Sequence, residues 1–210
     1  MKPKDLLKKY LAHRRKKKFK GASGQKDVTI LSNCCLAGLM YNDMKMKFLS
    51  PTINLYFGHH SFIDYVNHLE QYIRIGELVD SGRIEDCNGA PIGLLKAPGL
   101  PDIEIHFLHY GSFQVAKSKW IERTKRINLS KVFLVLEARD NHEHALIDEY
   151  VNLPYPKIIF SDVKPDSERQ IILPSCYAMR NKSITSFVGL LGKRCYDDFG
   201  FVSNIFNREW

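Results

Sequence analysis

The 210-residue chain has no long apolar run and few cysteines. No stretch reaches the roughly 18 consecutive apolar residues that a membrane-spanning helix needs, so we expect no transmembrane segment. No apolar stretch follows the basic first residues, so a secretory signal peptide is not expected. The five cysteines are odd in number and form no CxxC pair. They disfavour a disulfide framework or a zinc ribbon and favour a reducing, cytoplasmic location.

Several enzyme signatures are also missing. The chain contains neither G-x-G-x-x-G nor G-x-x-x-x-G-K-[ST], so both common nucleotide-binding fingerprints are excluded. No nucleophile elbow of the hydrolase type is present. The composition is nevertheless that of a globular protein, with 44% hydrophobic and 26% charged residues, which excludes a disordered chain.

Positive charge is concentrated in one segment. Residues 1–20 hold ten Lys or Arg and one acid, a net charge of +9, whereas residues 21–210 hold 21 basic and 22 acidic residues, a net charge of −1. Leu6, Leu7, Tyr10 and Leu11 form a short apolar stripe at helical spacing. A basic amphipathic helix of this kind can lie on an anionic membrane surface, although a solvated terminus fits equally well. Because the rest of the chain is not basic, we do not expect nucleic-acid binding.

The pattern predicts an arm and hinge over residues 1–24 and a single α/β domain over 25–210. Strands and helices alternate with short connections, which is typical of a three-layer α/β/α domain around a mostly parallel sheet. Strands are predicted at residues 27–32, 53–57, 83–86, 92–95, 102–110, 131–137, 157–160 and 171–173. Helices are predicted at residues 34–41, 61–73, 112–127, 142–150 and, for the most part, 183–207.

The first predicted strand ends at Ser32, and a helix follows it. In open α/β sheets, ligands bind beyond the carboxyl ends of the strands, and a helix N-terminus there favours anions. Asn33 and Cys34 are therefore candidate substrate-binding residues. Alternatively, Asn33 is a plain helix cap and the cysteines Cys34 and Cys35 are buried core residues.

The segment of residues 102–110 carries the sharpest candidate site. Strand periodicity places Asp102, Glu104 and His106 on one face, with apolar residues on the other. Such a face could serve acid/base chemistry, or its carboxylates could hold a divalent cation such as Mn²⁺ or Mg²⁺. A sheet face open to water is the alternative. The apolar strands and the helix that follow favour a central position for this strand.

Two further groups of polar residues are candidates for substrate binding. Lys119, Arg123 and Arg126 lie beside Trp120 on a predicted helix and could grip a diphosphate, although they also fit ordinary surface charge. Arg139 and Asp140 follow a buried strand and form a second-rank site at its carboxyl end.

Four segments together resemble a bacterial exopolysaccharide and capsule biosynthesis family catalogued as a domain of unknown function, DUF1919. The family pattern runs S-N-N-C-x-G-G, F-L-S-P-T-x-N-L, D-I-E-I-H-F-L-H-Y and A-x-x-x-W-x-x-R-x-x-R-I-N. This chain matches it at residues 32–38, 48–55, 102–110 and 116–128, within a likeness that covers roughly residues 27–165. Cys34 replaces the second Asn and Ala37 the first Gly, which would alter any ligand contact of that loop.

The resemblance implies a cytoplasmic α/β protein of polysaccharide assembly with a glycosyltransferase role, and it assigns no catalytic residue. Combined with the candidate residues, it gives the leading hypothesis of sugar transfer from a nucleotide sugar to a lipid-linked or glycan acceptor. Asp102 or Glu104 would act as base and His106 would orient it. Asn33 and the basic helix would hold the donor, and residues 1–20 would bind the inner face of the plasma membrane.

Two other functional classes stay open. One is a polysaccharide-modifying acyltransferase or hydrolase that uses Cys34 or Cys35 with His106. The other is a non-catalytic glycan-binding assembly protein.

Overall fold

The computed structural model describes most of the domain. It covers residues 27–86, 88–138, 144–161, 170–172, 194–198 and 208–210, together with Leu6, Lys9, Tyr10, His13 and Ile205. The predictions for the arm and for the helical C-terminal part therefore lie largely outside the described residues.

After the first strand, the described elements run as three helices, three strands and then an alternation of helices and strands. The strands are β1 (Thr29–Ser32), β2 (Glu77–Ile84), β3 (Pro91–Lys96), β4 (Ile103–His106), β5 (Val132–Ala138), β6 (Lys157–Ser161) and β7 (Gln170–Ile172). The helices are α1 (Leu36–Asp43), α2 (His59–Asn67), α3 (Leu69–Ile75), α4 (Phe113–Thr124) and α5 (His144–Asn152), with short 3-10 turns at Leu129–Lys131 and Cys195–Asp198.

A parallel sheet forms the centre of the domain. Its strand order is β1-β5-β6-β7, and every neighbouring pair runs parallel. Alternate residues of β5 enter two separate apolar clusters: Leu134 and Leu136 lie in one, and Phe133 and Val135 in the other. Both faces of the sheet are therefore covered, as the continuous apolar run of β5 predicts. The complete three-layer arrangement stays a prediction.

A second sheet, separate from the parallel one, was not foreseen, although its strands β2 and β3 overlap the strands expected at residues 83–86 and 92–95. It is antiparallel and has the order β2-β3-β4, and β4 is one of its edges. The prediction of a central strand over residues 102–110 is therefore wrong in position and length. Its polar and apolar residues alternate because one face packs on the core while the other meets water, which is typical of antiparallel sheets. Ile103 and Ile105 are buried, whereas Glu104 and His106 are partly exposed.

Three local predictions are corrected by the backbone. The expected strand at residues 53–57 reduces to a single bridge between Tyr56 and His106, because Asn54 has a positive φ of 62° that interrupts extended backbone. The long helix expected at residues 61–73 is two helices that meet at His68. The first of them begins at His59, two residues before the expected start, and its N-cap Gly58 offers no side-chain cap.

Candidate functional site

Asn33 joins the carboxyl ends of the neighbouring strands β1 and β5. Its side-chain oxygen accepts the N–H of Glu137 at 2.9 Å, and its amide nitrogen donates to the Glu137 carbonyl at 2.9 Å. The same nitrogen also donates to the Tyr150 hydroxyl at 3.3 Å. Asn33 does not cap α1, whose N-cap is Cys35 with no side-chain hydrogen bond. Because its amide groups are already bonded, the donor-binding role of Asn33 has no contact to support it.

The two adjacent cysteines lie in poorly solvated surroundings beside Asn33. Burial, with the nearby Glu137 carboxylate, raises the pKa of Cys34 well above its usual value and that of Cys35 to about 11. A nucleophilic cysteine needs the opposite shift, since the thiolate is the reactive form. The geometry therefore gives no support to a cysteine nucleophile paired with His106.

Tyr150 and His59 extend the network that Asn33 begins. The Tyr150 hydroxyl lies 2.6 Å from Nδ1 of His59, and the Tyr150 side chain is buried. Burial raises the pKa of Tyr150, so its hydroxyl stays protonated at neutral pH. The sequence offered no signal for this pair, because 91 residues separate its members.

The basic residues of α4 make contacts within the protein. Arg123 is only 8% exposed; its guanidinium donates to the Tyr110 hydroxyl at 2.7 Å and stacks on the Phe48 ring. Arg126 donates to the Phe48 carbonyl at 3.0 Å and also contacts the Glu122 carboxylate. Both arginines therefore fasten the segment around Phe48 to the helix.

The other two members of that predicted group are also engaged. Lys119 pairs with Glu122 at 3.0 Å, and Trp120 is a core residue packed against Phe57, Tyr65 and Phe107. The predicted diphosphate grip thus has no supporting contact. Arg139 and Asp140 lie outside the described residues, so their role stays a prediction.

The exposed face of β4 carries the cluster that can do acid/base chemistry. Nδ1 of His106 contacts the Glu85 carboxylate, and Nε2 of His106 lies 3.0 Å from Oε1 of Glu104. Arg83 contacts the other oxygen of Glu104. The Tyr56 ring stacks on His106 with centroids 4.2 Å apart. We call these five residues the His106 cluster.

Tyr56 and Glu85 fix the position of the His106 ring. The Tyr56 hydroxyl donates to Oε1 of Glu85 at 2.6 Å. This hydrogen bond lowers the pKa of Glu85, and the His106 contact adds to the effect. Glu85 therefore stays ionised at neutral pH. The Glu104 side chain, at 33% exposed, is the more accessible of the two carboxylates that contact His106.

The third predicted catalytic residue takes a different partner. Asp102 shares the exposed face but forms an ion pair with Lys96 at 2.7 Å. The structure thus brings together Glu104 and His106 of the predicted set. Sequence reasoning missed Glu85 and Tyr56. The Asn88-Gly89 pair is typical of a tight hairpin turn. Such a turn predicts that residues 83–86, and Glu85 among them, lie beside the strand that follows.

The segment of residues 53–57 links the His106 cluster to the end of β1. Tyr56 and His106 exchange two backbone hydrogen bonds of 3.0 Å. The N–H of Phe57 donates to the Asn33 carbonyl at 3.0 Å, and the thiol of Cys35 donates to the Leu55 carbonyl at 3.6 Å. The cluster is therefore held close to the carboxyl edge of the parallel sheet, where ligands of α/β proteins usually bind.

The described residues hold neither a metal-binding group nor a membrane-spanning helix. In residues 27–86, 88–138 and the other described segments, no group of three or more His, Cys, Asp or Glu side chains is arranged to hold a metal ion. No helix among the residues with assigned positions has the length and hydropathy to cross a bilayer. The predicted divalent cation stays a prediction.

Comparison with known proteins identifies similarity over nearly the whole chain. The family model described as "Domain of unknown function (DUF1919)" matches residues 5–206. An uncharacterized protein of Haemophilus influenzae is 29% identical over 178 residues, which cover 83% of this chain and 82% of the relative. Neither description states an activity.

Proposed function

Since the chain belongs to the DUF1919 family, whose description gives no activity, we propose its function from the site: a glycosyltransferase-like enzyme that acts on a sugar hydroxyl. The observation that carries the proposal is the His106 cluster, in which each nitrogen of one imidazole faces a carboxylate. An ordered and partly exposed carboxylate–imidazole pair is suited to removing a proton from a hydroxyl group.

Glu104 is the base in this proposal. Its carboxylate takes the proton of the acceptor hydroxyl as the hydroxyl oxygen bonds to the anomeric carbon of the donor. The bond between that carbon and the diphosphate oxygen breaks, and the nucleoside diphosphate leaves with the electron pair. His106 and Arg83 hold the Glu104 carboxylate in place, while Tyr56 and Glu85 position His106.

The substrate class rests on the sequence resemblance. Likeness to exopolysaccharide and capsule biosynthesis proteins supports a nucleotide sugar as donor and a lipid-linked or glycan acceptor. The basic amphipathic arm supports a cytoplasmic protein that associates with the anionic inner face of the plasma membrane. Leu6 and Tyr10 are 54% and 58% exposed, so two apolar side chains of the arm are available to a surface.

Calorimetric titration with a panel of uridine and cytidine diphosphate sugars, with and without Mn²⁺, tests donor binding. For the bound donor, we expect Glu104→Gln to lower kcat by about 10²- to 10⁴-fold, the usual contribution of a general base. Asp102→Asn is the matched control, because Asp102 lies on the same face but pairs with Lys96. We expect less than about a threefold change in its kcat, since exposed ion pairs contribute little.

Two results would overturn the proposal. One is the failure of every nucleotide sugar to bind. The other is an equal loss of turnover in the two variants, which would show that Glu104 is not the general base. Glycan binding without turnover by the parent protein would instead favour the non-catalytic assembly role.

A further inference from the structure

A groove lies on the other side of the antiparallel sheet from the His106 cluster. It runs between the end of α3, the start of β2 and one face of α4, and encloses about 360 Å³. Leu78, on the core-facing side of β2, forms part of its wall. A volume of this size is within the range of roughly 300–1,000 Å³ that is typical of small-molecule sites. We call it the α3–α4 groove.

The floor of the α3–α4 groove is apolar. Leu78 and Trp120 are 3% and 5% exposed, and Ile73 packs against the same core. Ile121 is 44% exposed, which makes it one of the few large apolar side chains open to solvent. Because Ile121 lines the groove, an aliphatic ligand that covered it would remove apolar surface from water.

The rim of the groove is positively charged. Lys117 lies one turn before Ile121 on α4, Lys125 caps the end of the helix one turn after it, and all three line the groove. In the part of the chain that the structure describes, neither lysine forms an ion pair, whereas Lys119 on the same helix pairs with Glu122. Glu77 is the one acidic residue that lines the groove, so its lining carries a net charge of +1.

We propose that the α3–α4 groove binds an aliphatic chain that ends in an anionic group, either a phosphate or a carboxylate. The chain lies on Ile121, Ile73 and Leu78, and the anion lies between Lys117 and Lys125. This binding does not depend on catalysis at His106, because the groove and the cluster lie on opposite sides of the sheet. A polyprenyl or alkyl phosphate and a fatty acid share this chemistry.

Trp120 provides a direct measurement of binding. The chain has two tryptophans, so Trp210→Phe in the full-length protein leaves Trp120 as the single reporter in the groove. Bromine quenches tryptophan fluorescence on contact, so the probes are 11-bromoundecyl phosphate, 11-bromoundecanoate and the neutral 11-bromoundecanol. We expect saturable quenching by both anionic probes. Competition by farnesyl phosphate or by laurate then shows whether the groove prefers a lipid phosphate or a fatty acid.

Charge variants test the role of the rim. The double variant Lys117→Gln and Lys125→Gln should raise Kd for the anionic probes by about tenfold or more, since it removes both cations of the rim that can bond to the anion. Its Kd for the neutral alcohol should stay unchanged. Lys47→Gln removes an exposed lysine that is not among the groove-lining residues, and is expected to leave every Kd unchanged.

An apolar variant tests the floor. Ile121→Asp should abolish quenching by all three probes, whereas Ile84→Asp, at an isoleucine that is 63% exposed on β2, should not. If Ile121→Asp fails to fold, the lysine variants still decide the proposal. Quenching that does not saturate, or anion binding that is unaffected by loss of the two lysines, would overturn it.

Discussion

Asn33 is a polar residue with a structural role that could not be predicted from its position at the end of β1. Its amide copies the hydrogen bonds of a neighbouring strand, since it both accepts from and donates to the backbone of Glu137. It therefore continues the pairing of β1 with β5 one step past Ser32, where the regular register ends. A buried amide with this geometry stabilises the fold and leaves little bonding capacity for a ligand.

Removal of this amide should destabilise the protein. Asn33→Ala leaves the N–H and carbonyl of Glu137 without their side-chain partner in a partly buried place, so we expect a loss of about 1–3 kcal/mol in the free energy of unfolding. Urea unfolding followed by circular dichroism measures the loss. Asn42→Ala, at an exposed position of α1, is the matched control and should change stability by less than about 0.5 kcal/mol. Equal stability of the two variants would contradict the structural role.

At the scale of elements, the predictions that succeeded depended on strong local patterns. The apolar run of β5 predicted a buried parallel strand, and its bounds are within one residue of those expected. Ser112 marked the start of α4 and caps it by accepting the N–H of Val115. The prediction of a central strand at residues 102–110 failed because a two-residue period shows that one face of a strand is buried, but does not show which strand lies alongside it.

Gly93 explains how β3 can pack closely on the core. A Cβ atom there would lie 2.9 Å from Phe107, 3.0 Å from Phe113 and 3.1 Å from Leu78. These side chains are buried, so they have little room to move away. The absent side chain of Gly93 thus leaves room for Leu78 of β2, Phe107 after β4 and Phe113 of α4 on the core-facing side of the antiparallel sheet.

A methyl group at this position should destabilise the domain. We expect Gly93→Ala to lower the free energy of unfolding by about 1–3 kcal/mol, the usual cost of overpacking. Gly111→Ala is the control, because a Cβ atom there meets nothing within 4 Å and its φ is not positive. The midpoints of urea unfolding should separate the two variants. If Gly93→Ala were as stable as Gly111→Ala, the close packing of β3 would be refuted.

At the scale of the whole molecule, the candidate site depends on contacts between distant parts of the chain. Glu85 lies 21 residues from His106 and 29 residues from Tyr56 in the sequence, yet it bonds to both. Neither separation follows a helical or strand period. The sequence could therefore predict that Glu104 and His106 share a face, but not which groups would surround them. No local pattern indicates that Asn33 bonds to Glu137 or that Arg123 bonds to Tyr110, and a shared site of these two residues with Glu104 stays a prediction.

The distribution of charge is a second property of the whole chain. Residues 1–20 carry a net charge of +9, and the rest of the chain carries −1. The matching family model begins at residue 5, so most of the basic arm belongs to the matched region. Leu6 and Tyr10 expose more than half of their surface, which leaves apolar and basic groups together in the arm. This combination favours binding to an anionic bilayer, because both interactions contribute there.

Deletion of residues 1–20 should therefore abolish sedimentation with phosphatidylglycerol vesicles. Each basic residue near such a surface contributes about 1 kcal/mol, so loss of even five or six of them is enough to release the protein. Thermal unfolding should be nearly unchanged, because we expect the domain core to lie within residues 25–210. The intact protein should also dissociate as salt rises from about 0.05 M to 0.5 M, since screening shortens the reach of the charges. Phosphatidylcholine vesicles are the neutral control. Equal sedimentation of the truncated and intact proteins would rule out the arm as the membrane-binding segment. The α3–α4 groove would then be the lipid-binding site to examine.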